Sequence, residues 1–214
     1  MNRPFAGTTN SFEILRGLAR KRAAGRYCEL CNLQLEHEHP HLLERASGRL
    51  LCACNACALL FHRRDGAARL LRIPRDARRL ESFEISDADW SALLLPIELA
   101  FFVHKTDAGR VVAYYPSPAG GTESLLDLDA WNSIAASNPV LEQMLPDVEA
   151  LLVNRTRGNR DYYFAPIDQC YKLTGIIRTA WRGLSGGDAV WRDIDDFFTS
   201  LRERAIVSED TVHA

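Results

Sequence analysis

The chain has 214 residues, 47% of them hydrophobic and 25% charged, the balance of an ordinary globular protein with room for one sizeable core and a small appendage. Its 13 glycines and 9 prolines exclude collagen-like and low-complexity classes, and no apolar run approaches the roughly 20 residues that cross a bilayer. The net charge of -2 divides unevenly, at +8 over residues 1–80 and -10 over residues 81–214; a basic segment of this kind can meet nucleic acid, an acidic partner, or the acidic part of its own chain.

In chain order, Phe12, Leu15, Leu18 and Ala19 recur at helical spacing among Arg16, Arg20, Lys21 and Arg22. Residues 1–25 therefore read as a basic tail with a short amphipathic helix. No apolar stretch follows Arg3, so a secretory leader and membrane insertion are not expected, and a cytoplasmic location is. Five of the 6 cysteines then fall together: Cys28, Cys31, Cys52, Cys54 and Cys57. In a reducing compartment such clustering argues for metal rather than disulfides.

The pairs Cys28-x-x-Cys31 and Cys54-x-x-Cys57 each let two thiolates face one ion. A hairpin over His41 to Leu51, turning at Ser47-Gly48, would close the tetrahedron. Residues 26–75 are thus expected to be a Cys-rich metal-binding module of zinc-ribbon or rubredoxin-like type. Its ligands would be Cys28, Cys31, Cys54 and Cys57. Zn2+ is the expected ion, because four thiolates close the site and ion binding drives folding directly; a single Fe is the alternative. Cys52 can substitute for Cys54, act as a redox partner, or pack in the core. Asn32 suits the left-handed backbone that follows a knuckle, and Ala58 suits it less well. His37, His39 and His41 alternate and could hold nickel or zinc on one side of a strand, but Pro40 and the flanking glutamates favour a solvated loop. His62 reads as a surface residue, and Arg69 to Ile73 as a short strand.

Residues 76–90 are charged and irregular, and a larger α+β domain is expected over 76–214. Asp87 to Trp90 suggests a helical turn. Leu99–His104 and Arg110–Tyr115 read as one hairpin, Val148–Val153 and Asp161–Ala165 as a second. Helices are expected through Trp131 and Ile134 (capped by Asp127 or Asp129), from Pro139 to Leu145, from an Asp168 cap along Cys170, Leu173, Thr174, Ile177, Trp181 and Leu184 until Gly183 stops it, and along Trp191, Ile194, Phe198 and Leu201. The fold class is α+β: antiparallel hairpins with helices packed on one face.

This region shows no convincing catalytic constellation. Gly183-Leu-Ser-Gly-Gly187 matches G-x-S-x-G, but a helix rather than a strand precedes Ser185, so it reads as a turn. Cys170 reads as a buried inert thiol rather than an activated one. Arg155, Arg157 and Arg160 crowd the second hairpin tip and could grip a phosphate or an acidic partner. Asp195-Asp196 looks like a solvated helix face.

The stretch from Cys28-Glu-Leu-Cys31 to Leu50-Leu-Cys-Ala-Cys-Asn-Ala-Cys57-Ala-Leu-Leu-Phe61 resembles the N-terminal signature of an uncharacterised bacterial family encoded beside nickel–iron hydrogenase genes. Tyr115-Pro-Ser-Pro-Ala119, Glu123-Ser-Leu-Leu-Asp127, Val148-Glu-Ala-Leu-Leu-Val153 and Trp181-Arg-Gly-Leu-Ser-Gly-Gly187 are similar to it as well. The resemblance implies an accessory role in hydrogenase assembly, metal handling or electron transfer, with hydrogenase subunits or maturation proteins as partners. It brings over no catalytic residues. The alternative is a nucleic-acid-binding zinc-ribbon regulator, which the Arg-rich segments support and the lack of interleaved aromatics opposes.

Overall fold

A computed structural model describes residues 26–61, 68–124, 128–183 and 186–207. The helix expected at 1–25, His62, Asp127, Leu184, Ser185 and the C-terminal tail lie outside the described residues.

The first sheet has three short strands, β1 (His41–Glu44), β2 (Arg49–Cys52) and β3 (Leu70–Arg72), in the order β2-β1-β3. The β1–β2 hairpin turns at Ser47-Gly48 as expected, with Gly48 at φ +67°. Between β2 and β3 runs a short helix, α1 (Asn55–Leu60). The hairpin is the platform of the cysteine module: Leu42 and Leu51 pair across it and bury themselves against Cys28, Ala53, Cys54, Cys57 and Ala58.

The second sheet has seven strands. Its members are β4 (Arg78–Arg79), β5 (Leu99–Lys105), β6 (Arg110–Ser117), β7 (Gly120–Ser124), β8 (Glu149–Asn154), β9 (Asp161–Pro166) and β10 (Ile206–Val207), in the order β10-β4-β9-β8-β5-β6-β7. Both expected hairpins are present, β5–β6 and β8–β9, and β5 pairs with β8 to fuse them. All pairings are antiparallel except β10 with β4. Every residue of β8 and of β9 is buried, which requires cover on both faces.

Strand alternation divides that core in two. Leu99, Phe101, Val103, Leu152, Tyr163 and Ala165 face the two long helices, α4 (Ile167–Ala180) and α5 (Gly187–Arg204), on Cys170, Leu173, Ile177, Ile194 and Phe198. This is the helical face expected from the sequence. Ala100, Phe102, Leu151, Val153, Tyr162 and Phe164 face the other way, onto shorter elements: α2 (Asp87–Ala92), α3 (Leu128–Ser137) and the 3-10 turn Pro139–Gln143. There Trp131 stacks on Phe102 at 4.9 Å, and Trp90 meets the same ring edge-on at 6.5 Å. Each large side chain so buried contributes about 1.5–3 kcal/mol. The expected helical segments at Asp87 to Trp90, through Trp131 and from Pro139 thus form a second layer on the sheet's other face.

Two helix ends differ from expectation. Pro166, not Asp168, is the N-cap of α4; Asp168 sits inside the first turn and turns its carboxylate to β1 instead. That helix ends at Ala180, where Trp181 adopts an extended backbone, before Gly183 is reached. Among the described residues no helix is long and apolar enough to cross a membrane.

Candidate metal centre

The first CxxC pair lies on a tight turn. A bridge between Tyr27 and Gln34 closes its base, Asn32 N–H donates to the Cys28 carbonyl at 2.8 Å, and Asn32 takes φ +62° as its side chain permits. The second pair is built differently from a ribbon's second knuckle. Cys54 is the N-cap of α1, and its Sγ accepts the Cys57 N–H at 3.4 Å. The pair therefore occupies the opening turn of a helix, which is why Ala58 is acceptable after it: no left-handed residue is needed there.

These two turns bring four sulfurs together. The Sγ atoms of Cys28, Cys31, Cys54 and Cys57 all lie within 4.8 Å of one another, and Cys31 to Cys54 is 3.7 Å. A tetrahedron with metal–sulfur bonds of about 2.3 Å has edges of about 3.8 Å, so the donors fit a single ion. Cys28, Cys54 and Cys57 are buried and Cys31 is exposed. Burial pushes the Cys28 thiol up, but N–H groups of Cys54, Cys31 and Leu30 outweigh it and hold it at about 6. The Cys57 thiol is pushed up, first by burial and then by the sulfurs of Cys31, Cys54 and Cys28. One thiolate forms readily, while Cys57 resists a further negative charge until a cation compensates it.

Cys52 is not part of this set. It stands opposite His41 in the hairpin, grouped with His39 and His41. Burial and then Glu29 raise its thiol. The solvated loop expected for these histidines holds for His37, which is exposed and offers its carbonyl to Arg26; His39, just ahead of β1, and His41, on β1, are instead half-buried with their rings side by side.

The other candidates are structural. Cys170 is fully buried and its thiol is pushed up by burial, which keeps it inert. The arginines of the second hairpin tip are engaged within the chain. Buried Arg155 donates to Asp87 Oδ1 and to the Ser86 carbonyl, with its guanidinium 5.2 Å from the Trp90 ring centre. Arg160 donates to the same Asp87 oxygen at 2.9 Å. Arg157 lies over Trp191 and reaches Asp195, 3.3 Å away. Ser185 lies outside the described residues, but Gly183, Gly186 and Gly187 around it all have positive φ, as a helix-to-helix reversal requires.

The molecule is thus an α+β protein with a four-cysteine cluster able to hold a metal ion. Residues 27–205 match a family of unknown function, DUF5947, and the chain belongs to that family. The matched span contains all five clustered cysteines, the first sheet and every strand of the second except β10. No curated protein and no solved structure matches the chain.

Proposed function

We propose that this protein is a metal-binding accessory protein of a hydrogenase system, acting in the cytoplasm by docking to hydrogenase subunits or their maturation proteins. The observation that carries the metal-binding part is the convergence of Cys28, Cys31, Cys54 and Cys57 within 4.8 Å. Four thiolates leave no open position, so the ion staples the module rather than catalysing a reaction. Zinc is the occupant that suits such a clip; a single iron would make the same cluster an electron carrier.

The hydrogenase setting rests on the resemblance carried by the cysteine signature and the motifs at 115–119, 123–127, 148–153 and 181–187. Exposed apolar side chains around the cluster support docking. Leu30 and Leu33 flank the first turn, and Leu59, Leu60 and Phe61 extend from α1. The alternative nucleic-acid reading has less support. Arg45 and Arg78 pair with Asp147 and Glu149 of the acidic part, and Arg49 and Arg69 pair with Glu29 and Glu44.

The test is affinity capture from cells making a nickel–iron hydrogenase, using the full chain and a Cys57→Ser variant. Enrichment of hydrogenase subunits or maturation proteins by the native chain, reduced in the variant, supports the reading. Absence of such enrichment, or retention of nucleic acid that falls steeply with salt, contradicts it.

A further inference from the structure

The geometry points to a second, open metal site formed by His39, His41 and Cys52, suited to a divalent first-row cation of borderline hardness such as Zn2+. It shares no ligand with the four-sulfur cluster and does not rest on that cluster's occupancy.

A ring nitrogen of each histidine and the Cys52 Sγ lie within 4.8 Å of one another. The hairpin register produces this. His41 on β1 stands directly opposite Cys52 on β2, so both side chains leave the same face of the sheet. The Ala53 N–H donates to the Pro40 carbonyl at 3.0 Å. Pairing therefore continues one residue beyond the ladder, and His39 falls on the side of His41, their ring centres 4.9 Å apart. Pro40, which breaks the sequence pattern, is buried and helps hold the two rings in place.

Hydrogen bonds assign the ring nitrogens. His41 Nδ1 is 2.7 Å from Asp168 Oδ2, and His39 Nδ1 is 2.9 Å from the Glu36 carbonyl. Both partners accept, so in each neutral ring Nδ1 carries the hydrogen and Nε2 presents a bare lone pair. His39 Nε2 is buried with no hydrogen-bond partner. Buried polar atoms are normally satisfied, and a cation at this point would satisfy this one. The Asp168–His41 pair is the carboxylate–imidazole arrangement that fixes a metal-binding histidine's tautomer and raises its basicity.

The donor set defines the ligand class. Two imidazoles and one thiolate suit zinc, and also nickel or copper, over calcium or magnesium. Three protein ligands leave a fourth position for water or a small molecule, unlike the closed cluster nearby. All three side chains are partly exposed, so an ion can enter from solvent.

Equilibrium dialysis of the full chain against Co2+ under reducing conditions, with total metal measured per chain, tests this. The expected result is two ions per chain, falling to one in His39→Ala and in Cys52→Ser. Cys28→Ser loses the other ion and keeps this one. Asp168→Asn keeps both but binds the second about 10–100-fold more weakly, the loss typical of such outer-sphere partners. Saturation of the native chain at one ion that Cys28→Ser removes overturns the proposal, as does a second ion that survives in both His39→Ala and Cys52→Ser. Saturation at one ion sensitive to His39 and not to Cys28 supports it and contradicts the four-sulfur assignment instead.

Discussion

His41 and Asp168, 127 residues apart in sequence, are joined by a 2.7 Å hydrogen bond between Nδ1 and Oδ2. The bond runs from the hairpin of the cysteine module to the first turn of α4. Arg45 reaches Asp147 nearby, 3.5 Å away, and Leu43 and Ile73 enter the same core as α4 and α5. The module is therefore seated on the larger sheet's helical layer through both polar and apolar contacts.

The first prediction follows from that seating. Leu43 lies on β1, is 4% exposed, and packs in the large core. Leu43→Ala should cost about 2–5 kcal/mol, the range for emptying a buried leucine site. The loss should appear in the single main unfolding transition, followed by tryptophan fluorescence in urea. A change confined to a separate minor transition would show that module and sheet unfold independently.

Cys54 has two jobs that substitution can separate. It offers a sulfur to the cluster, and that same sulfur caps α1 by accepting the Cys57 N–H. Cys54→Ser should lose metal affinity yet keep the cap, since serine is a good N-cap. Cys54→Ala should lose both and be less stable than Cys54→Ser by about 1 kcal/mol in metal-free protein. Equal metal-free stabilities in denaturant melts would refute the cap.

Arg155 and Arg160 touch one carboxylate but should differ in worth. Arg155 is 2% exposed, bonds the Ser86 carbonyl and lies over Trp90, while Arg160 is 46% exposed. Arg155→Ala should cost about 1–3 kcal/mol through lost packing over Trp90 and the lost charged hydrogen bond to the Ser86 carbonyl. Arg160→Ala should cost under about 1 kcal/mol, as exposed ion pairs do. Thermal melts of the two variants make the comparison; similar losses would mean the exposed pair matters more than its setting allows.

The reversal between α4 and α5 depends on Gly186 more than on Gly187. Both have positive φ, but a Cβ at Gly186 would stand 2.7 Å from Val190 Cγ1 and 3.0 Å from Trp181 Cε3, whereas at Gly187 it meets nothing within 4 Å. Gly187→Ala should cost about 1–2 kcal/mol in backbone strain, and Gly186→Ala more. Denaturant midpoints that rank the two the other way would contradict the packing described.

Much of this was readable from sequence because local rules carried it. The CxxC pairs, Asn32 after the first, the Ser47-Gly48 turn and both long hairpins each have short-range causes. The helical segments at 87–92, 128–137 and 139–143 were each legible, but not that they cover the sheet's other face, which tertiary packing rather than local pattern decides. Strands β4 and β10 have two residues each, too few for alternation to register. Asp168 looks like a cap because Asp near a helix start usually is one; its bond to His41 is set by tertiary packing. The grouping of His39 and His41 with Cys52 depends on strand register, which spacing alone does not reveal.

The central claim is that the sulfurs of Cys28, Cys31, Cys54 and Cys57 bind one ion together. X-ray absorption at the zinc and iron edges of freshly purified protein, combined with elemental analysis, addresses it most directly. The account predicts at least one transition-metal ion per chain, with four sulfur neighbours at about 2.3 Å, and loss of that shell in Cys57→Ser. Protein free of transition metal, with these thiols all titrating freely in the native state, would contradict it.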